Sequence, residues 1–340
     1  MIIRKSSAKF TRVLAGSLLA GLILSGCDGG SGSGADATLG TDTAASPVSE
    51  PTTPGTSSTT TPSATTPSGT SSAGSTMDDK ALSSYVCSTN IAATPGSLQY
   101  LPIGAAGAPQ KRGYVEYVPQ DYQKKSAWPC IINLHGDGEL GDGTTAEKLK
   151  VFSYSCLPGM INKDTWDDKH RFIVLSPQFA SYDDRSGDNV REFVRFAKAN
   201  YRIDPTRIYF TAVSGGGVAL ANYLNKYGNE DAAAILPVSC YVSPASPIIW
   251  KNAPVWFLCG AADTTVGPAN LVKNYNALVA AKAPVTPRIT LYTGVGHDAN
   301  SVNKSYSPAL MDNKLETTYQ GIALTPYSNV YDWLLQYQKK

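Results

Sequence analysis

The segment from Arg207 to Leu224, RIYFTAVSGGGVALANYL, constrains this chain more than any other. Its first half is rich in aromatic and β-branched residues and reads as a strand, and its second half opens on glycines and continues as a helix. Passing from one to the other in so few residues forces a sharp reversal that leaves Ser214 exposed at the bend. The helix that follows aims its N-terminal amides and the positive end of its dipole at the same point. Gly215 and Gly216 keep side chains out of the path of an approaching molecule. The loose pattern is G-x-S-x-G, and Ala212 stands where the first glycine is expected. A small residue there still permits close strand and helix packing. Alone, a serine beside glycines is an ordinary turn, so its meaning depends on partners elsewhere in the chain.

A serine hydroxyl near neutral pH is a poor nucleophile and needs a base within hydrogen-bond reach, a task suited to histidine. The chain has three histidines, His135, His170 and His297, and only His297 follows Ser214. It comes after the strand pattern ITLYTGVG and is the candidate base. A carboxylate must orient that imidazole, and APVWFLCGAADTTVG supplies one: a buried strand, a small-residue turn, then Asp263. An N-cap for the helix PANLVKNYNALVAA is the competing role for Asp263, although Thr264 or Thr265 is placed to cap it instead. Asp298 adjoins His297 and points away from it as an immediate neighbour. The order serine, acid, histidine is one of the three known for such triads.

Charge that develops on a carbonyl oxygen also needs donors. One is the amide of Gly215. Another is expected from the loop His135-Gly136-Asp137-Gly138-Glu139, whose glycines let the amide of Asp137 turn inward. The same loop has one histidine and two carboxylates, which is not a recognised zinc spacing, so no metal is assigned.

With these residues in place, a family likeness emerges. The succession VEYVPQDY, INLHGDGE, FIVLSPQF, RIYFTAVSGGG, PVWFLCGAADTTV, YTGVGHDAN and SNVYDWLL resembles the α/β-hydrolase esterases described as phospholipase/carboxylesterase-like, polyhydroxybutyrate-depolymerase-like, and feruloyl or acetylxylan esterases. The likeness runs from about Val115 to Leu335. It implies an α/β-hydrolase fold, a mostly parallel central sheet flanked by helices. It also implies ester hydrolysis by Ser214, Asp263 and His297, with Asp137 and Gly215 at the oxyanion-hole positions and no cofactor. Esters linked to plant polysaccharide, or a polyester, are the substrates it suggests. Two departures stand out: relatives often carry a small residue at the place of Asp137, and often a tryptophan shortly after the base, where this chain reads Asp298-Ala299-Asn300-Ser301.

Residues 1–27 begin with Arg4, Lys5, Lys9 and Arg12, continue as the apolar run Val13 to Leu24, and end Leu24-Ser25-Gly26-Cys27. That is an export signal, with an apolar run shorter than the roughly 20 residues that span a bilayer. Its end resembles a bacterial lipobox, which implies lipidation at Cys27 and an exported, membrane-anchored protein at the periplasmic or cell surface. Residues 28–78 are dominated by Ser, Thr, Gly, Pro and Ala and are expected to form a disordered tether. Residues 79–340 are long enough for one catalytic α/β domain. The formal charge is +2, and removing the four cations of the signal leaves about −2, which argues against a nucleic-acid partner.

Six cysteines are present. With Cys27 lipidated, five remain for an oxidising compartment, and Cys240 and Cys259 are candidates to pair at the ends of neighbouring strands. Tyr154, Trp166, Phe179, Tyr182, Tyr241 and Gln178 are candidates to border the site, and Asn300 to Pro326 reads as a long polar connection beside it. The same triad also suits a serine peptidase or a polyester depolymerase. A tethered binding protein that keeps the fold without catalysis is the reading from another class.

Overall fold

A computed structural model describes residues 94–105, 111–242, 250–308, 327 and 329–340 of the chain. The export signal, the tether, Cys27 and Cys87 lie outside the described residues. Among these residues eight strands form one sheet: β1 (Gln99–Leu101), β2 (Tyr114–Tyr117), β3 (Trp128–Leu134), β4 (Ile173–Pro177), β5 (Ile203–Ser214), β6 (Ala234–Cys240), β7 (Trp256–Gly260) and β8 (Arg288–Tyr292). Their order is β1-β2-β4-β3-β5-β6-β7-β8. The first three neighbours pair antiparallel and every later pair is parallel.

Strands such as β3 and β6 are almost continuously apolar because helices cover both sheet faces. The helices are α1 (Ala146–Leu149), α2 (Cys156–Asn162), α3 (Gly187–Asn200), α4 (Gly216–Tyr227), α5 (Pro268–Ala280), α6 (Ala299–Tyr306) and α7 (Val330–Leu334). Side chains alternate along each strand, so Ile132, Leu134 and Phe210 join α3, α4 and α5 in one core. On the opposite face Ile131, Tyr209 and Leu236 pack with α2, α6 and α7. In α3, Val190, Phe193, Val194 and Ala197 repeat at helical spacing and are all buried, and Ser186 caps the helix by accepting from the Asn189 amide at 3.2 Å.

Part of the expected polar connection after Asn300 is helical, since α6 continues to Tyr306; residues 309–326 lie outside the described ones. Polar contacts fasten α6 to the sheet. Ser239 Oγ on β6 donates to Ser301 Oγ at 3.0 Å, and the Tyr306 hydroxyl meets Thr211 Oγ1 on β5. From α7, the Tyr331 hydroxyl donates to the Tyr306 carbonyl at 2.6 Å, while Asp332 accepts from Arg171, just before β4, at 2.7 Å. Cys130, Cys156, Cys240 and Cys259 are buried free thiols, so the expected pairing of Cys240 with Cys259 is not formed.

One buried carboxyl belongs to the core. Glu116 on β2 is fully buried and accepts a hydrogen bond from the Tyr201 hydroxyl, which also meets that of Tyr114 at 2.7 Å. Burial raises the Glu116 pKa from 4.5 to about 7, against the opposing effect of the Tyr201 bond. Between those two values the folded state holds more protons than the unfolded state. Glu116 therefore contributes fully below pH 4.5, its contribution falls by about 1.4 kcal/mol per unit as pH rises, and it levels off above about 7. Replacing Glu116→Gln removes this slope. Urea unfolding at pH 4.5 and 8 should show the variant gaining on the wild type by on the order of 3 kcal/mol across that range; parallel stability profiles would refute the account.

Candidate active site

Ser214 ends β5 with φ of 50°, a left-handed conformation that costs a non-glycine residue about 1–3 kcal/mol. The neighbouring strand accommodates the turn. Val213 pairs with Val238 but Ser214 pairs with Cys240, so Ser239, itself at φ 40°, is the extra residue of a bulge opposite the bend. Packing also demands glycine after Ser214. A Cβ on Gly216 would lie 2.1 Å from the Leu134 carbonyl oxygen, and one on Gly217 would lie 2.3 Å from that of Tyr241. Ala212 is fully buried between Leu134 and Pro237, where a methyl group is accommodated.

The three residues expected to act together do meet. Ser214 Oγ is 3.0 Å from His297 Nε2, and His297 Nδ1 is 2.8 Å from Asp263 Oδ2. Asp263 Oδ1 accepts from the amides of Thr265 and Val266 at 3.0 and 2.9 Å, which fixes the carboxylate on its turn. It does not cap α5, whose first turn has no side-chain cap and begins with Pro268. Burial works to raise the Asp263 pKa, but the Val266 amide and His297 outweigh it, and the group lies below its usual range. An ionised Asp263 accepts from Nδ1–H and leaves Nε2 as an acceptor for the serine proton. Asp298 points elsewhere and accepts from the Ser301 amide at the start of α6.

The other histidines have structural roles. His135 is fully buried: its Nε2 accepts from the Phe179 amide at 2.9 Å, and its Nδ1 donates to the Gly136 carbonyl at 2.6 Å. Burial lowers its pKa to about 3, so it remains neutral. His170 stacks on Trp166 and pairs with Asp164.

Asp137 opens a short 3-10 turn, Asp137–Glu139, directly after β3, and this turn abuts the bend at Ser214. Its carboxylate lies beside Gly215, where an added Cβ would come within 1.9 Å of Oδ1. Arg185, fully buried, donates to that oxygen at 2.6 Å and to the Gly136 carbonyl at 2.9 Å, and the Tyr182 hydroxyl donates to Oδ2. Burial raises the Asp137 pKa, yet the bonds from Tyr182 and Arg185 hold it below the usual carboxylate range. Its negative charge is therefore turned towards a cation. Sequence spacing gives no sign of Arg185, which lies 48 residues from Asp137.

A cavity of about 420 Å³ opens on this group, within the size range of small-molecule sites. Its wall includes Asp137, Glu139, Tyr154, Cys156, Ser239 and His297. Tyr154, Tyr182 and Tyr241 are exposed, whereas Trp166, Phe179 and Gln178 are buried, with Gln178 Nε2 donating to the Glu139 carbonyl at 2.9 Å. Nothing in the sequence of the loop His135–Glu139 singles out Glu139. A double-mutant cycle tests the Arg185–Asp137 tie: Arg185→Gln should destabilise the protein by about 0.5–3 kcal/mol more with Asp137 present than beside Asp137→Asn, by urea unfolding. Additive effects would mean that the two charges are not coupled.

Strand order, the two antiparallel strands at one edge and a serine on the turn from β5 into α4 together define the α/β-hydrolase fold. No protein-family model matches the chain, and no curated protein matches it. Several solved structures are similar. A thermostable esterase aligns at 19% identity and a TM-score of 0.47, covering 67% of this chain and 59% of that protein. The feruloyl esterase module from Clostridium thermocellum, complexed with sinapinate, aligns at 16% identity and 0.46, covering 62% and 85%. An acetyl xylan esterase from Aspergillus awamori aligns at 17% and 0.41, covering 59% and 94%. The chain thus spans about three-fifths of the length of the thermostable esterase, and at these levels the fold rests on its own topology.

Proposed function

We propose that this protein is a serine hydrolase that cleaves carboxylic esters through an acyl-enzyme. The observation that carries the reading is the continuous hydrogen-bonded chain from Asp263 through His297 to Ser214, with the serine held at a positive φ. Ser214 Oγ attacks the ester carbonyl while His297 Nε2 takes its proton, and Asp263 holds the imidazole and stabilises its charged form. The amides of Asp137 and Gly215 stabilise the tetrahedral oxyanion. His297 then protonates the departing alcohol and activates the water that releases the acid.

Arg185 supports this step indirectly. By drawing the Asp137 carboxylate onto its guanidinium, it keeps a negative charge from facing the oxyanion, and its bond to the Gly136 carbonyl fixes the preceding peptide. The export signal and tether, read from sequence alone, complete the proposal: a lipid-anchored domain held through Cys27 at the periplasmic or cell surface.

Ser214→Ala should lower p-nitrophenyl acetate turnover by on the order of a thousandfold or more and abolish covalent labelling by a fluorophosphonate. Retention of both in the purified variant would reject the assignment. Peptide cleavage without ester turnover would move the wild type to the peptidase reading, and a folded wild type inert to both assays would favour a binding protein.

A further inference from the structure

We propose that the cavity beside Ser214 selects esters bearing a cationic ammonium group, held by the carboxylate of Glu139. This specifies the substrate class of the serine-hydrolase reading and rests on it. Glu139 is 6% exposed and lines the cavity. A Cβ on Gly136 would lie 3.3 Å from both Glu139 Oε2 and Ser214 Cβ, so those atoms are no more than twice that distance apart. A bound ester therefore brings its substituents within reach of the carboxylate.

The Glu139 carboxylate has no cationic partner among the described residues. Its Oε1 accepts from the Ser155 hydroxyl, and the Cys156 thiol lies beside the carboxylate. The nearest basic group is His135 Nδ1 at 4.0 Å, but that nitrogen gives its proton to the Gly136 carbonyl while Nε2 accepts from Phe179, so the ring is neutral. Arg185 is engaged by Asp137. The cavity wall contains Asp137, Glu139 and Asp298 and, among the described residues, no lysine or arginine. A buried carboxylate without a counter-charge is costly, and an ammonium ion supplies the missing charge, whereas a neutral hydroxyl supplies only a hydrogen bond. Tyr154, 75% exposed on the same wall, adds an aromatic face for the cation. The ammonium also offsets the repulsion between Glu139 and the developing oxyanion, so the preference acts in the transition state as well as in binding.

Two isosteric pairs of esters test this on the purified protein. Acetylcholine against 3,3-dimethylbutyl acetate places the cation on the alcohol side, and methyl 4-aminobutanoate against methyl pentanoate places it on the acyl side. At least one pair should favour the cation by about tenfold or more in kcat/KM. In Glu139→Gln, which keeps an oxygen for the Ser155 hydroxyl, that ratio should fall to near one. If this variant does not fold, competition in the wild type decides: tetramethylammonium chloride should inhibit turnover of the neutral ester competitively where equal sodium chloride does not. Ratios near one in both pairs, a preference that survives in Glu139→Gln, or equal effects of the two salts overturn the proposal. Turnover of neutral esters without a cation preference overturns it alone. No turnover of any of the four, with no fluorophosphonate labelling, overturns the serine-hydrolase reading and this proposal with it.

Discussion

Close backbone contact at the start of α4 is the constraint on which the rest of the structure depends. Gly216 and Gly217 bring the helix against the carbonyls of Leu134 and Tyr241, at the ends of two different strands. No residue with a Cβ could sit there without displacing backbone. This approach places the turn after β3 against the bend at Ser214, and it brings the segment after β6 to the other side. The bulge at Ser239 compensates in the sheet for the extra curvature. The left-handed backbone of Ser214 persists because strand pairing on both sides of β5 and the glycine contacts over-determine it.

The parts of this arrangement that sequence discloses are those fixed by local chemistry. Strand-forming residues before Ser214 and glycines after it determine the bend, and Asp263 and His297 each follow a recognisable strand, so the order of the triad is readable. Fold class follows from the alternation of such strands with helices. Ala212 proves neutral, since its methyl group fits where glycine is usual. What sequence does not disclose depends on contacts between distant segments. Arg185 reaches Asp137 across the β3 and β4 loops, and no periodic pattern marks that pair. Helix α6 escapes a periodicity reading because its polar residues, Ser301 and Ser305 among them, are buried by hydrogen bonds rather than by apolar packing. The thiols of Cys240 and Cys259 end adjacent strands, but sequence spacing says nothing of their relative direction.

Two carboxylates close to Ser214 lie in different surroundings. Asp137 is neutralised from within by a buried arginine, while the Glu139 carboxylate, on the cavity wall, meets a hydroxyl, a thiol and a neutral imidazole. The loop after β3 thus sets two carboxylates in different electrostatic surroundings over three residues.

His297 lies between β8 and α6, and α6 is fastened to β5 and β6 through Tyr306 and Ser301 and to α7 through Tyr331. The placement of His297 beside Ser214 is therefore linked through α6 to α7, far from the bend in sequence. Helix α7 is itself part of the core on the α6 face, with Val330, Tyr331, Trp333 and Leu334 all buried against the sheet. The spacing between Ser214 and His297 and the packing of that sheet face are thus tied to one short helix, so loosening α7 would disturb both together.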